Sequence, residues 1–279
     1  MRLYWLAVLG FAVGAVAPAG ADEWSRQYTV KGKPDVHVRA ADGRVKIEPG
    51  AASEVSAQVV TSGWRIGPGD VVITESQTGD RVDIEVRLPK VDGGWTNRSI
   101  DMTLRVPAES GLEIRTGDGG IDARALSGRI RLSTGDGKIT VDGLKGELDL
   151  HTGDGTITGT GLAGRLEAST GDGDVDVRGR FTGLAVRTGD GDVDASVDAG
   201  SKVEAPWSVR TGDGNVTLRL PEGLDASLDA HTGDGGIVVD KPLAVTGEVR
   251  EDRVRGQLGA GGQTLTINTG DGRIHLTGR

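Results

Sequence analysis

The chain of 279 residues contains no cysteine, and aromatic side chains make up only 3% of it. Without cysteine there are no disulfides and no thiolate metal sites, so stability must come from backbone ladders and an apolar core. Positive charge is also short. Lys and Arg number 32 against 41 Asp and Glu, a formal net charge of -9. That balance excludes nucleic acid as a general partner and disfavours docking on anionic lipid, since both need basic surfaces. Long apolar runs are missing as well. Nothing after the N-terminus approaches the ~20 apolar residues of a membrane span, so none is expected in the mature chain.

The one short apolar run lies at the start. Arg2 precedes the stretch Leu6 to Val16, and Ala19-Gly20-Ala21 fits the small-x-small rule for cleavage before Asp22. Residues 1–21 are therefore expected to be a signal peptide, and the mature chain to be periplasmic, outer-surface or secreted. No cysteine follows the cleavage point, which excludes a lipid anchor on the mature N-terminus.

What the chain does have is glycine, 47 residues of it, in periodic order. Thr-Gly-Asp-Gly begins at Thr116, Thr134, Thr152, Thr170, Thr188, Thr211, Thr232 and Thr269, the first five copies 18 residues apart. A fixed period means one short unit stacked on itself. Within the unit Thr134 to His151, Lys-Ile-Thr-Val and Glu-Leu-Asp-Leu alternate with period 2, so each unit reads as two half-buried strands and two turns. Stacking such coils ~4.8 Å apart encloses a thin core between two sheets. The predicted fold is all-β, a parallel β-solenoid of about 18-residue coils with an N-terminal strand-rich cap.

The predicted division is a signal peptide over 1–21, an N-terminal β cap with one degenerate coil over 22–107, and a repeat domain over 108–279. The degenerate coil is Val36 to Gly43, which echoes Leu112 to Gly119. Between Pro49 and Asp101 the register is lost, and longer strands are expected there to cover the N-terminal end of the stack, as an open end requires. The 37-residue gap between Thr232 and Thr269 has room for two coils, with Val249 to Arg253 in the place of the missing motif and Gly256 to Gly262 as a mobile loop.

At the corners, two glycines permit a tight bend through positive φ, and the aspartate between them bonds nearby amides as an Asx-turn does. Asp42, Asp118, Asp136, Asp154, Asp172, Asp190, Asp213, Asp234 and Asp271 are read as these structural turn residues. Thr116 and its equivalents continue the inward alternation, so their hydroxyls should bond within the stack. A denser acidic spot, Asp172, Asp174 and Asp176 with Asp190, Asp192 and Asp194 one coil later, has the oxygen-ligand chemistry of a Ca²⁺ site. The competing reading is a solvated acidic face neutralised by Arg178, Arg180 and Arg187. Trp64, Trp95 and Trp207 are the aromatics to weigh, as surface contacts for a sugar or partner or as core and cap packing. His151 and His231 occupy equivalent coil positions and read as surface variants. Asn97-Arg98-Ser99 matches a glycan acceptor pattern. No phosphate loop, His-Glu-x-x-His or Gly-x-Ser-x-Gly elbow occurs.

The signal peptide, the strands ending Leu-Pro, the repeated Gly-Asp-Gly turns and the closing Gly-Gly-Gln-Thr-Leu-Thr-Ile-Asn-Thr-Gly-Asp-Gly-Arg-Ile together resemble the bacterial putative-adhesin family of β-strand repeats over about residues 30 to 279. The resemblance implies an exported β-helical protein associated with the cell surface, and it brings no catalytic residues. The expected function is non-enzymatic, an extended surface for a cell-envelope or surface protein or glycan, with no cofactor. The alternative is a polysaccharide-active or calcium-binding β-helix.

Overall fold

The computed structural model describes residues 21–89, 98–240 and 245–278. Every regular element among them is a β-strand, and the whole is a β-solenoid-like stack. Its centre follows the 18-residue period. Ser127–Ser133 pairs in parallel with Lys145–His151, aligning Ile130 with Leu148, and the next layer aligns Leu148 with Leu166. The second strand of each unit does the same: Ile121–Arg124, Ile139–Asp142 and the start of Ile157–Ser169 align Ile121, Ile139 and Ile157. Two ladders thus run the length of the stack, one built from the strands that precede the Thr-Gly-Asp-Gly corner and one from those that follow it.

Period-2 alternation turns one set of side chains into the space between the ladders. Ile130, Leu132, Ile139, Val141, Leu148 and Leu150 are each 3% exposed or less. Burial of one such side chain contributes about 1.5–3 kcal/mol. Leu144 and Leu162, from the Gly-Leu-x-Gly turns, fill the second corner and are also buried. With so few aromatics, this aliphatic column is the core.

At both ends the stacking order departs from the chain order. Thr264–Thr269 and Ile274–Gly278, the last strands of the chain, lie on Trp207–Arg210 and Val216–Leu220. Ala226–Thr232 and Ile237–Val239 then stack outside them. The N-terminal end mirrors this: Asp35–Ala40 sits between Arg81–Arg87 and Gly111–Thr116. Arg44–Pro49 likewise lies between Ser99–Val106 and Ile121–Arg124. The strands on either side of the expected boundary at 107/108 therefore belong to one continuous stack.

Antiparallel strands close the ends. Ala21–Thr29 pairs with Glu54–Ser62, which pairs with Ser99–Val106, and Val72–Thr78 pairs with Arg81–Arg87. At the other end Thr246–Val249 and Arg253–Leu258 form a hairpin laid antiparallel on Ala226–Thr232. Val249 to Arg253 is thus the turn of a cap and not a missing corner, which corrects the reading of two further coils. The physical reason lies in the corner itself. Coils stack where glycine meets glycine, and residues 249–253 contain none, whereas Gly270 donates from its amide to the Gly212 carbonyl at 2.5 Å. Nor is Gly256 in a loop: it lies within a strand opposite Leu228 and Gly247. Beyond it the Ala260 amide is tied to Asp225 Oδ1 at 2.7 Å.

Candidate interaction surface

Threonine and glycine hold the repeated corner. The Thr134 hydroxyl donates toward the Gly119 carbonyl of the preceding coil at 2.8 Å and accepts from its own Gly137 amide at 3.3 Å. Thr152, Thr170, Thr188, Thr211, Thr269 and Thr232 repeat the bond to the coil beneath at 2.8–2.9 Å. All eight motif threonines are 9% exposed or less. The inward placement expected of Thr116 and its equivalents is what the structure has.

The roles of glycine and aspartate differ from expectation. Among the described residues, no motif glycine has positive φ. They are glycine because the coils touch there: a Cβ on Gly137 would lie 2.2 Å from the Gly119 carbonyl oxygen, and one on Gly155 2.1 Å from that of Gly137. The corner aspartates do lie one above another, but they point into solvent. Only Asp42 among them accepts a hydrogen bond, from the Asp118 amide at 3.2 Å. That bond runs between coils, so no Asx-turn is seen at these aspartates among the described residues, and within the corner the threonine hydroxyl takes the amide of the fourth motif residue.

The acidic spot does not gather into a cation site. Asp174 Oδ1 accepts the Asp192 amide at 2.9 Å, and Asp192 Oδ1 accepts the Asn215 amide at 2.7 Å. Asn215 Oδ1 then accepts the Arg273 amide at 3.0 Å. These side chains are steps of a ladder between coils. Asp176 and Asp194 lie opposite each other on neighbouring strands, and Asp194 is paired with Arg219. Asp172 and Asp190 stand apart at the corner. Among the described residues no three His, Asp or Glu side chains are placed to hold a metal ion.

Trp207 is fully buried, and its Nε1 donates to the Thr182 carbonyl at 3.4 Å, so it is core and not a surface contact. The five-residue expansion before it bulges out through residues 198–206 and lets Trp207 rejoin the ladder on Leu265. Trp64 packs partly against the core, with the Arg98 guanidinium 4.2 Å from its ring centroid. Trp95, Asn97 and residues 1–20, which hold all but the last residue of the expected signal peptide, lie outside the described residues.

Two surface features escaped the sequence reading. One is a groove of about 400 Å³ at the N-terminal end, lined by His37, Arg39, Glu75, Arg81, Asp83 and Glu113. The His37 imidazole contacts Asp35 Oδ2 at 3.0 Å and Glu113 Oε2 at 3.4 Å. The Arg81 guanidinium, hydrogen-bonded to Asp83, holds that carboxyl below the usual aspartate range. Beside it, burial and then the hydrogen bond from its own hydroxyl to Glu75 push the Tyr28 phenol far above its usual range. Residues 75–83 reach this place through an antiparallel hairpin, for which local sequence gave no register. The second feature is legible at a fixed offset. The residue before each motif threonine, together with Arg39 before Ala40 of the degenerate coil, forms an outward column: Arg39, Arg115, Ser133, His151, Ser169, Arg187, Arg210, Asn268 and His231 stand in register, and none of these is a carboxylate.

The fold and surface define a repeat-built β protein in which a constant inside carries variable outer columns. The chain belongs to the Toastrack DUF4097 family, whose sequence profile matches residues 21–277. No curated protein matches it. Among solved structures it is similar to a putative cell adhesion protein from Clostridium sporogenes, at 15% identity and a TM-score of 0.31, covering 92% of this chain and 100% of that one. It is also similar to a putative adhesin from Bacteroides fragilis, at 10% identity and a TM-score of 0.44, covering 92% and 97%. A third is a putative lipid binding protein from Parabacteroides distasonis, at 12% identity and a TM-score of 0.47, covering 91% and 96%. No helix among the described residues is long and apolar enough to cross a membrane.

Proposed function

We propose that the protein is an exported, non-enzymatic scaffold, a parallel solenoid with 18-residue windings at its centre, that presents its outer columns to a protein or glycan of the cell envelope. The observation that carries this reading is the division of labour within the repeat. Threonine, glycine and the aliphatic core recur from coil to coil. The outward residues change from Arg to Ser to His at equivalent places. Such a surface suits many weak contacts summed along its length. Export follows from Arg2, the apolar run and the Ala19-Gly20-Ala21 site. Asp174 and Asp192 serve a ladder between coils and Asp194 an ion pair, which favours this reading over the calcium-binding or polysaccharide-active one.

The test is fractionation followed by binding. The mature chain is expected to begin at Asp22, to be found outside the cytoplasm, and to sediment with washed envelopes of its own host. A chain that stays in the cytoplasm, or that washed envelopes fail to retain, would overturn the reading. Chelation of divalent cations is expected to leave Tm unchanged; a clear fall would favour the calcium-binding alternative.

A further inference from the structure

We propose that Arg187 and Arg210 form the centre of an anion-binding site for a linear acidic polysaccharide lying along the stack. This deepens the proposed function and rests on it.

The two arginines are aligned on neighbouring parallel strands, so their Cα atoms stand at the strand spacing of ~4.8 Å. Like charges placed directly opposite destabilise a sheet. Three outward arginines of nearby coils are ion-paired instead: Arg129 with Glu147 at 2.7 Å, Arg131 with Asp149 at 2.7 Å, and Arg178 with Asp198 at 3.3 Å. Arg187 and Arg210 are both exposed, and neither guanidinium has an ion pair or hydrogen bond among the described residues. Two unpaired, adjacent guanidinium groups are ten fork-like N–H donors with nothing to donate to. Planar forks of this kind match carboxylate and sulfate oxygens.

The surroundings are cleared for a ligand. Two residues earlier on the same strands, the neighbouring coils carry Glu113, Arg131, Asp149 and Glu167. Beside the arginine pair those positions are Ala185 and Ser208, small and uncharged. Ser169 and Asn268 continue the column on either side with hydrogen-bonding side chains and no negative charge.

The shape of the column selects the occupant. Three residues further along each coil stands the exposed line of corner aspartates, and the formal net charge of the chain is -9. A flat anionic membrane or a nucleic acid duplex cannot reach the arginines without also meeting those carboxylates. A single thread can lie on the arginine column alone. A polysaccharide with acidic groups at regular intervals would set successive charges on Arg187 and Arg210, and its remaining length on His151, Ser169 and Asn268.

The experiment measures binding of the full chain to polygalacturonate, with neutral dextran, duplex DNA and phosphatidylglycerol vesicles as the other arms. Polygalacturonate is expected to bind in a salt-sensitive manner while the other three do not. The double variant Arg187→Gln with Arg210→Gln is expected to weaken it about tenfold or more. The control double variant Arg129→Gln with Arg131→Gln is expected to change it by less than about twofold. Absent binding, binding that the first variant leaves unchanged, or equal binding to DNA or vesicles would overturn the inference. Thermal melting separates the other role open to these arginines. An unchanged or raised Tm in the Arg187/Arg210 variant supports a ligand site, and a Tm lowered by several degrees would show that they serve the corner aspartates instead. Envelope retention with no polygalacturonate binding would sink this site and leave the proposed function standing; polygalacturonate binding without envelope retention would do the reverse.

Discussion

At the scale of single residues, the motif is a contact rule between coils before it is a turn signal. Glycine is needed at its second and fourth positions because the backbone of the coil beneath occupies the place of a side chain. Gly155→Ala is therefore expected to destabilise the fold by about 3 kcal/mol or more. Gly236→Ala, where a Cβ would meet nothing within 4 Å, should stay within about 0.5 kcal/mol. Urea denaturation of the two variants checks the contrast. Positive φ does matter at the other turn. Gly143 has φ 66°, Gly161 has φ 61°, and Ala125 occupies the equivalent place at φ 53°, the only non-glycine residue with positive φ among those described. Ala125→Gly is expected to stabilise the fold by about 1 kcal/mol, since an L side chain in that region costs roughly that much. A raised urea midpoint with an unchanged m-value would show it. The threonine and core positions were legible because period-2 alternation fixes which way they point. The aspartate role was not, because a motif seen in isolation does not reveal that threonine and glycine already hold the corner between coils.

At the scale of elements, the strands of the central coils could be read from spacing alone, while of the N-terminal cap only the presence of longer strands, and not their pairing, was legible. Nothing in Val72–Thr78 tells that it turns back on Arg81–Arg87, and so nothing foretold the groove that Glu75, Arg81 and Asp83 help to line. Trp207 shows the same limit: the sequence left it between a surface contact and core packing, and its pairing with Leu265 decides for the core. The hairpin also carries a pH dependence. Asp83 is held below its unfolded-state range by Arg81, so its contribution is present above the unfolded pKa and is lost as pH falls through the folded one. Its side chain is 39% exposed and that of Arg81 50%, so the contribution is small. Wild type is expected to melt above Arg81→Gln at neutral pH. The gap should be steady above about pH 5 and close as the pH falls below the ordinary aspartate range near ~3.9. Melting curves in a pH series measure the gap directly.

At the scale of the whole molecule, the chain runs out of order at each end. In a simple solenoid, deleting the last repeat removes one neighbour interface. Here Thr264–Thr269 lies between Trp207–Arg210 and Ala226–Thr232, and its loss strips two. Truncation after Gly262 is therefore expected to lower Tm by at least ~10 °C, and to shift Trp207 fluorescence to the red as its partner Leu265 is lost. A truncated chain that melts within a few degrees of wild type would show that the outer strands can close the gap. The repeats themselves gave no warning of this order. The motif at Thr269 has the same four residues as the one at Thr211, and identical motifs do not state which copy stacks on which.

That interleaving bears on how the polypeptide matures. A protein emerging N-terminus first cannot finish its far end as it is made, because residues 226–239 have no permanent seat until residues 264–278 slide in beneath them. Until residues 264–278 are made, the edge at Trp207–Arg210 stays open to any stray strand. Growth of the nascent chain and completion of this end of the fold are thus separate events, and residues 264–278 act as the bolt that joins them.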